Sequence, residues 1–206
     1  MAITFPLSHP TSPGFQEVKF RGRTTVGRSD SEFTRLQRIT EWEGERWEAE
    51  ISLPPMTRQN AAAWCAWLLA LRGGLGTFTL GPSGSAKTPR GVATGTPLIN
   101  GSGQLGKTVN TKGWTAGVTG ILKAGDFLSF GVSIERLFMN LIDANSDGSG
   151  NATLEIFPRL KEATTDNDPI TAVSPGGLFR LDQNEAEWTI DSAQFYGIEF
   201  KALEAV

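Results

Sequence analysis

Residues 54–81 read PPMTRQNAAAWCAWLLALRGGLGTFTLG, and the order within them (breaker, apolar run, breaker, alternating segment) decides the fold. Pro54 and Pro55 stop the preceding segment, Thr57 sits at an N-cap position, and Gly73 and Gly74 end the run, so a helix is predicted over residues 58–72. Its middle, AAAWCAWLLAL, is apolar on every side. Such a helix is normally covered all round, by its own fold or by another subunit. Trp64 and Trp67 are three residues apart and read here as core or interface residues rather than as a sugar-stacking platform. Cys65, the single cysteine, lies in the same run, which rules out an intramolecular disulfide and predicts a buried thiol.

Working outward, residues 46–53 place Trp47, Ala49, Ile51 and Leu53 on one side and Arg46, Glu48, Glu50 and Ser52 on the other, the alternation of a half-buried strand. Gly44 separates this segment from residues 33–42, which predicts a hairpin there, and residues 18–23 supply another short strand. Thr77–Leu80 reads as a strand after the helix. Residues 82–95 turn rich in Gly, Pro, Ser and Thr and mark the passage to a second unit. Residues 92–160 show no helical period and contain strand patterns at 127–130, 137–142 and 153–157. Residues 165–169 are polar and read as a linker, after which 178–181, 188–190 and 195–203 return to strand patterning. The expected architecture is mainly β with one buried α-helix. A β-sandwich or split-barrel domain is built from residues 1–81 and 166–206 and carries the helix 58–72; a small β-barrel or sandwich domain, 92–160, is inserted into it.

The composition agrees. The chain has 206 residues, 39% hydrophobic and 20% charged, enough for a sizeable core, and its 24 glycines and 11 prolines suit tight turns between short strands. A net charge of −3 argues against a basic groove that neutralises phosphates. Residues 1–10 lack a basic segment followed by an apolar core, so no secretory signal is expected, and the longest apolar stretch, 61–71, falls short of the roughly 18 residues of a membrane span.

Three features could carry chemistry. Residues 101–108, GSGQLGKT, match the phosphate-cradling P-loop from Gly101 through Lys107 to Thr108. That loop works only between a buried strand and a helix whose N-terminus faces the phosphates, and the following VNTKGWTAGVTG, with Gly113, Gly117 and Gly120, is a poor helix and reads as a hairpin. Residues 143–151, DANSDGSGN, match a calcium loop at Asp143, Asn145, Asp147 and Gly148, but the twelfth position is Leu154, Glu155 comes one residue late, and the flanks read as strands. A hairpin tip explains the same residues. The single histidine, His9, lies between prolines and has neither cysteine nor histidine partners for zinc. No catalytic, cofactor-binding or metal residue is assigned, no cofactor is expected, and the chain is not read as an enzyme.

Three stretches together resemble the distal tail (Dit-like) proteins of long-tailed bacteriophages: FPLSHPTSPGF near the start, LPPMTRQNAAAWCAWLLALRGGLGTFTLG, and GWTAGVTGILKAGDFLSFG with LFMNLIDANSDGSGNATLEIFPRLK. The resemblance spans most of the chain and rests on structural rather than catalytic motifs. It implies a virion structural protein of the tail tip, assembled in the host cytoplasm. Its partners would be further copies of itself in a hexameric ring, the tail tube protein and the baseplate hub protein, with DNA passing through the lumen unbound. Two rival readings are a carbohydrate-binding module, in which Trp114 would face outward to a host glycan, and an NTPase resting on residues 101–108 alone.

Overall fold

The computed structural model describes residues 3–131 and 135–205. In chain order the elements are β1 (Glu17–Asp30), β2 (Gln37–Ser52), α1 (Arg58–Ala70), β3 (Thr77–Leu80), β4 (Gly95–Ile99), β5 (Gly106–Trp114), β6 (Phe127–Phe130), β7 (Arg136–Asn140), β8 (Ala152–Leu160), β9 (Gly177–Leu181), β10 (Thr189–Ile190), β11 (Tyr196–Gly197) and β12 (Glu199–Glu204). The protein is mainly β with one helix, as the sequence predicts. A first five-stranded sheet runs β1-β2-β12-β9-β3 and a second runs β4-β5-β8-β7-β6, so the two ends of the chain build one sheet and its middle builds the other.

β2 buries Trp47, Ala49 and Ile51 on one face, as the alternation requires, Leu53 just after it continues that face, and α1 packs against it. The helix buries Ala61, Trp64, Trp67 and Leu68, and Leu71 at its C-cap is buried with them. Its opposite face, Ala62, Ala63, Ala66 and Leu69, is exposed, so the expectation of a helix buried all round is corrected for the single subunit. A helix on one face of a sheet has one buried stripe whatever its composition. Thr57 stands at the N-cap, but its carbonyl rather than its hydroxyl takes the first amide hydrogen bonds. The helix ends at Ala70, two residues before the predicted stop, because Arg72 already turns left-handed (φ 53°). Cys65 is half-buried rather than buried.

The hairpin expected at Gly44 is also corrected. β2 runs straight through Gly44, and the reversal lies at residues 31–36, where Arg35 adopts φ 57° and its N–H donates to the Ser31 carbonyl. Gly44 instead accommodates an irregularity, since the β1/β2 register shifts between Arg23 and Thr25. In a strand, an interior glycine marks a bulge as readily as a turn.

The second sheet curls around Ile99, Val109, Leu128, Phe138, Leu154 and Ile156. Residues 165–169 are not a linker. The Ile99 N–H donates to the Asp168 carbonyl and the Ile170 N–H to the Pro97 carbonyl on one edge of the sheet, while Ser129 and Thr171 exchange backbone bonds on the other. One short segment thus bridges both edge strands, β4 and β6, and closes the curl. Polar side chains in this segment marked solvent in the sequence; the backbone amides decide its place, because an open sheet edge leaves donors unpaired. The chain returns to the first sheet only at β9.

The two sheets meet at Gly22, where a Cβ would lie 2.8 Å from the Phe157 ring, so only glycine lets β8 approach β1 this closely. Leu68 is 1% exposed and Leu69 58%. Leu68→Ala is therefore expected to cost roughly 2–5 kcal/mol and Leu69→Ala about 0.5 kcal/mol or less, measured by urea unfolding of the two variants.

Candidate functional site

Lys107 and Thr108 lie within β5, with no helix after them. The loop amides that would face a phosphate are taken: Gly101 N–H donates to Asp166 Oδ1 at 2.7 Å, Gly103 N–H to the Thr164 carbonyl, and Gln104 N–H to Thr164 Oγ1. Lys107 forms an ion pair with Glu41 of β2, a partner that holds the Glu41 carboxyl below its ordinary value and the lysine above its own. This stretch braces one sheet against the other and has no phosphate cradle.

In residues 143–151 the carboxylates turn inward to the backbone. Asp143 accepts from Ala124 N–H and Lys123 Nζ, and Asp147 Oδ1 accepts from the N–H groups of Ser149 and Asn151. These bonds hold both aspartates below their ordinary values, led by the backbone donors Ala124 and Asn151 respectively. Asn145 Oδ1 is spent on Gly120 N–H. The segment is a turn that satisfies its own donors, and among the described residues no three His, Cys, Asp or Glu converge as metal ligands. Trp114 is buried at 4% with its indole N–H on Thr111 Oγ1, so the outward tryptophan of the glycan-binding reading is corrected. His9 stacks on the buried Trp64, 5.9 Å between centroids, and takes part in covering the core.

Sequence reasoning missed the surface with the most unusual chemistry. β12 pairs with β2 only from Glu48 to Ser52, so the far ends of β1 and β2, Thr25–Asp30 and Gln37–Trp42, pair only with each other in a ribbon that projects from the sheet. The ribbon exposes Val26, Phe33, Leu36, Ile39 and Trp42, with Phe33 at 97%. A two-stranded hairpin is marginal alone, and clustered exposed apolar side chains mark an interaction surface. The available signal is the spacing of Phe33, Leu36, Ile39 and Trp42, whose apolar side chains fit a partner strand of 46–53 as well as an exposed ribbon.

At the ribbon's base a charged seam joins the sheets. Glu41, Glu43 and Glu45 of β2 meet Lys107, the Arg159 guanidinium and the Arg159 N–H respectively. Deeper in, Glu204 accepts the Trp47 N–H at 3.1 Å; burial pushes its carboxyl above the ordinary value, opposed by that hydrogen bond and by the nearby Lys161, Arg136 and Arg46 charges.

A scan against family models finds no match for this chain, and a search of curated proteins finds no relative.

A carboxyl whose folded-state value is raised penalises the native state above that value, and the penalty vanishes once the pH falls below the ordinary glutamate value of 4.5. Glu204→Gln keeps an acceptor for Trp47 and removes the buried charge. It should raise the melting temperature at neutral pH and leave it unchanged near pH 3, as read from calorimetric scans across that range.

Proposed function

We propose that the chain is a ring-forming structural subunit of a bacteriophage tail tip, an adaptor between tail tube and baseplate hub, with no catalytic role. The observation that carries this reading is the projecting β1/β2 ribbon, whose apolar side chains find no cover within one subunit. The exposed Ala62, Ala63, Ala66 and Leu69 face of α1 is a second apolar surface suited to a neighbour. A ribbon on one copy and a different surface on the next make a head-to-tail contact, and such contacts close into rings when the rotation between copies allows. The likeness of residues 5–15, 53–81 and 113–161 to distal tail proteins supplies the setting.

Charge on the solvent face of the first sheet fits passage of DNA without capture. Lys19, Arg21 and Lys201 surround Glu50, and Arg23 and Arg46 surround Glu48, so these basic side chains are engaged by carboxylates rather than free to neutralise phosphates.

Native mass spectrometry is expected to give a single closed species, with six copies as the predicted number. The double variant Phe33→Asp/Trp42→Asp should remain folded by circular dichroism and run as a monomer. A wild-type protein that stays monomeric at high concentration overturns the assignment, as does tight, salt-sensitive DNA binding.

A further inference from the structure

A cavity of about 120 Å³ opens at the end of the second sheet, lined in part by Phe130, Arg136, Phe138, Lys161, Glu162 and Asp168. Its charges are unevenly satisfied. The Arg136 side chain is 9% exposed, and among the described residues its Nη2 makes no hydrogen bond even though Glu162 Oε1 lies 3.1 Å away, since that oxygen stands off the N–H direction. Glu162 itself is 67% exposed. An exposed carboxylate held in an ion pair gains little, whereas a buried guanidinium nitrogen without a well-directed acceptor is costly. Lys161 adds a second cation, its ammonium held below the ordinary lysine value by burial, with Glu204 and Glu45 opposing that shift and Arg136 and Arg46 adding to it. Glu204 and Glu45 are themselves engaged by backbone N–H groups of Trp47 and Arg159. Arg136, Lys161, Glu162 and Asp168 thus line one cavity, in which Glu162 is the carboxylate paired with Arg136. Phe130 and Phe138, stacked at 4.3 Å, form an apolar wall that strengthens charge interactions beside it.

We propose that this cavity is a carboxylate-binding site, in which an incoming carboxylate forms a well-directed pair with Arg136 and displaces Glu162, the occupant in the isolated subunit. The volume suits a carboxylate on one or two methylene groups, the size of an aspartate or glutamate side chain. Bidentate Arg–carboxylate geometry supplies the hydrogen bonds that Glu162 does not make. The source of the carboxylate is an acidic side chain of a neighbouring copy. That part rests on the assembly proposed above; the chemistry of the cavity does not.

Calorimetric titration of the full chain with sodium acetate, against sodium chloride at matched ionic strength, tests the site. Glu162→Gln removes the internal competitor and is expected to bind acetate at least tenfold more tightly than wild type, while Arg136→Gln loses binding. Should Arg136→Gln fail to fold, Lys161→Gln takes its place, with weakened binding expected. Equal affinities in wild type and Glu162→Gln, or full binding in whichever cation variant folds, overturn the site. The source is read by analytical ultracentrifugation: saturating acetate should shift the assembly toward smaller species, and more so in Glu162→Gln. Acetate binding with an unchanged assembly would overturn the neighbour's side chain as the source and assign the site to a free organic acid. A chain that is monomeric throughout defeats the assembly reading, and the titration still decides the cavity.

Discussion

Trp47 is the point on which the two sheets depend. Its ring lies edge-on to Phe157 of β8 at 5.0 Å and within 5.9 Å of both Phe127 of β6 and Phe20 of β1. Its indole N–H donates to the Leu137 carbonyl of β7 at 2.9 Å, and its backbone N–H donates to Glu204 of β12. One residue of the first sheet thus contacts three strands of the second while tying together two strands of its own. An aromatic ring gives large apolar burial, and a buried indole N–H requires an acceptor in a fixed direction, so Trp47 fixes both how closely and in what orientation the sheets meet.

From that junction the rest of the architecture follows. Because Phe157 lies on β1 at Gly22, the inserted sheet sits beside the root of the ribbon, where Glu41, Glu43 and Glu45 find their cationic and amide partners. These pairs hold the base of the ribbon and leave its tip free of the body. The ribbon is thus pinned by polar pairs at its root and exposes apolar side chains toward its tip. The charged residues that resembled nucleotide and calcium motifs serve the same architecture: Lys107 fastens β5 to β2, and Asp147 shapes the turn ahead of β8.

By itself the sequence determined the class of fold, the place of the helix, and the strands whose side-chain pattern reports burial directly. Thr77–Leu80 and Phe127–Phe130 were legible to the residue, and β2 was legible from Arg46 onward, because each of these carries its own period. Tertiary structure decided whatever depends on a backbone partner far along the chain. Whether Gly44 turns or bulges is set by pairing with β1, and whether residues 165–169 float or close a sheet is set by amides on β4 and β6; neither leaves a mark in local side-chain pattern. Which face of an all-apolar helix is covered is set by the sheet beneath it. That Arg136 Nη2 has no directed acceptor among the described residues can be seen only once its neighbours are in place, since hydrogen-bond direction is a property of three-dimensional arrangement and not of residue type.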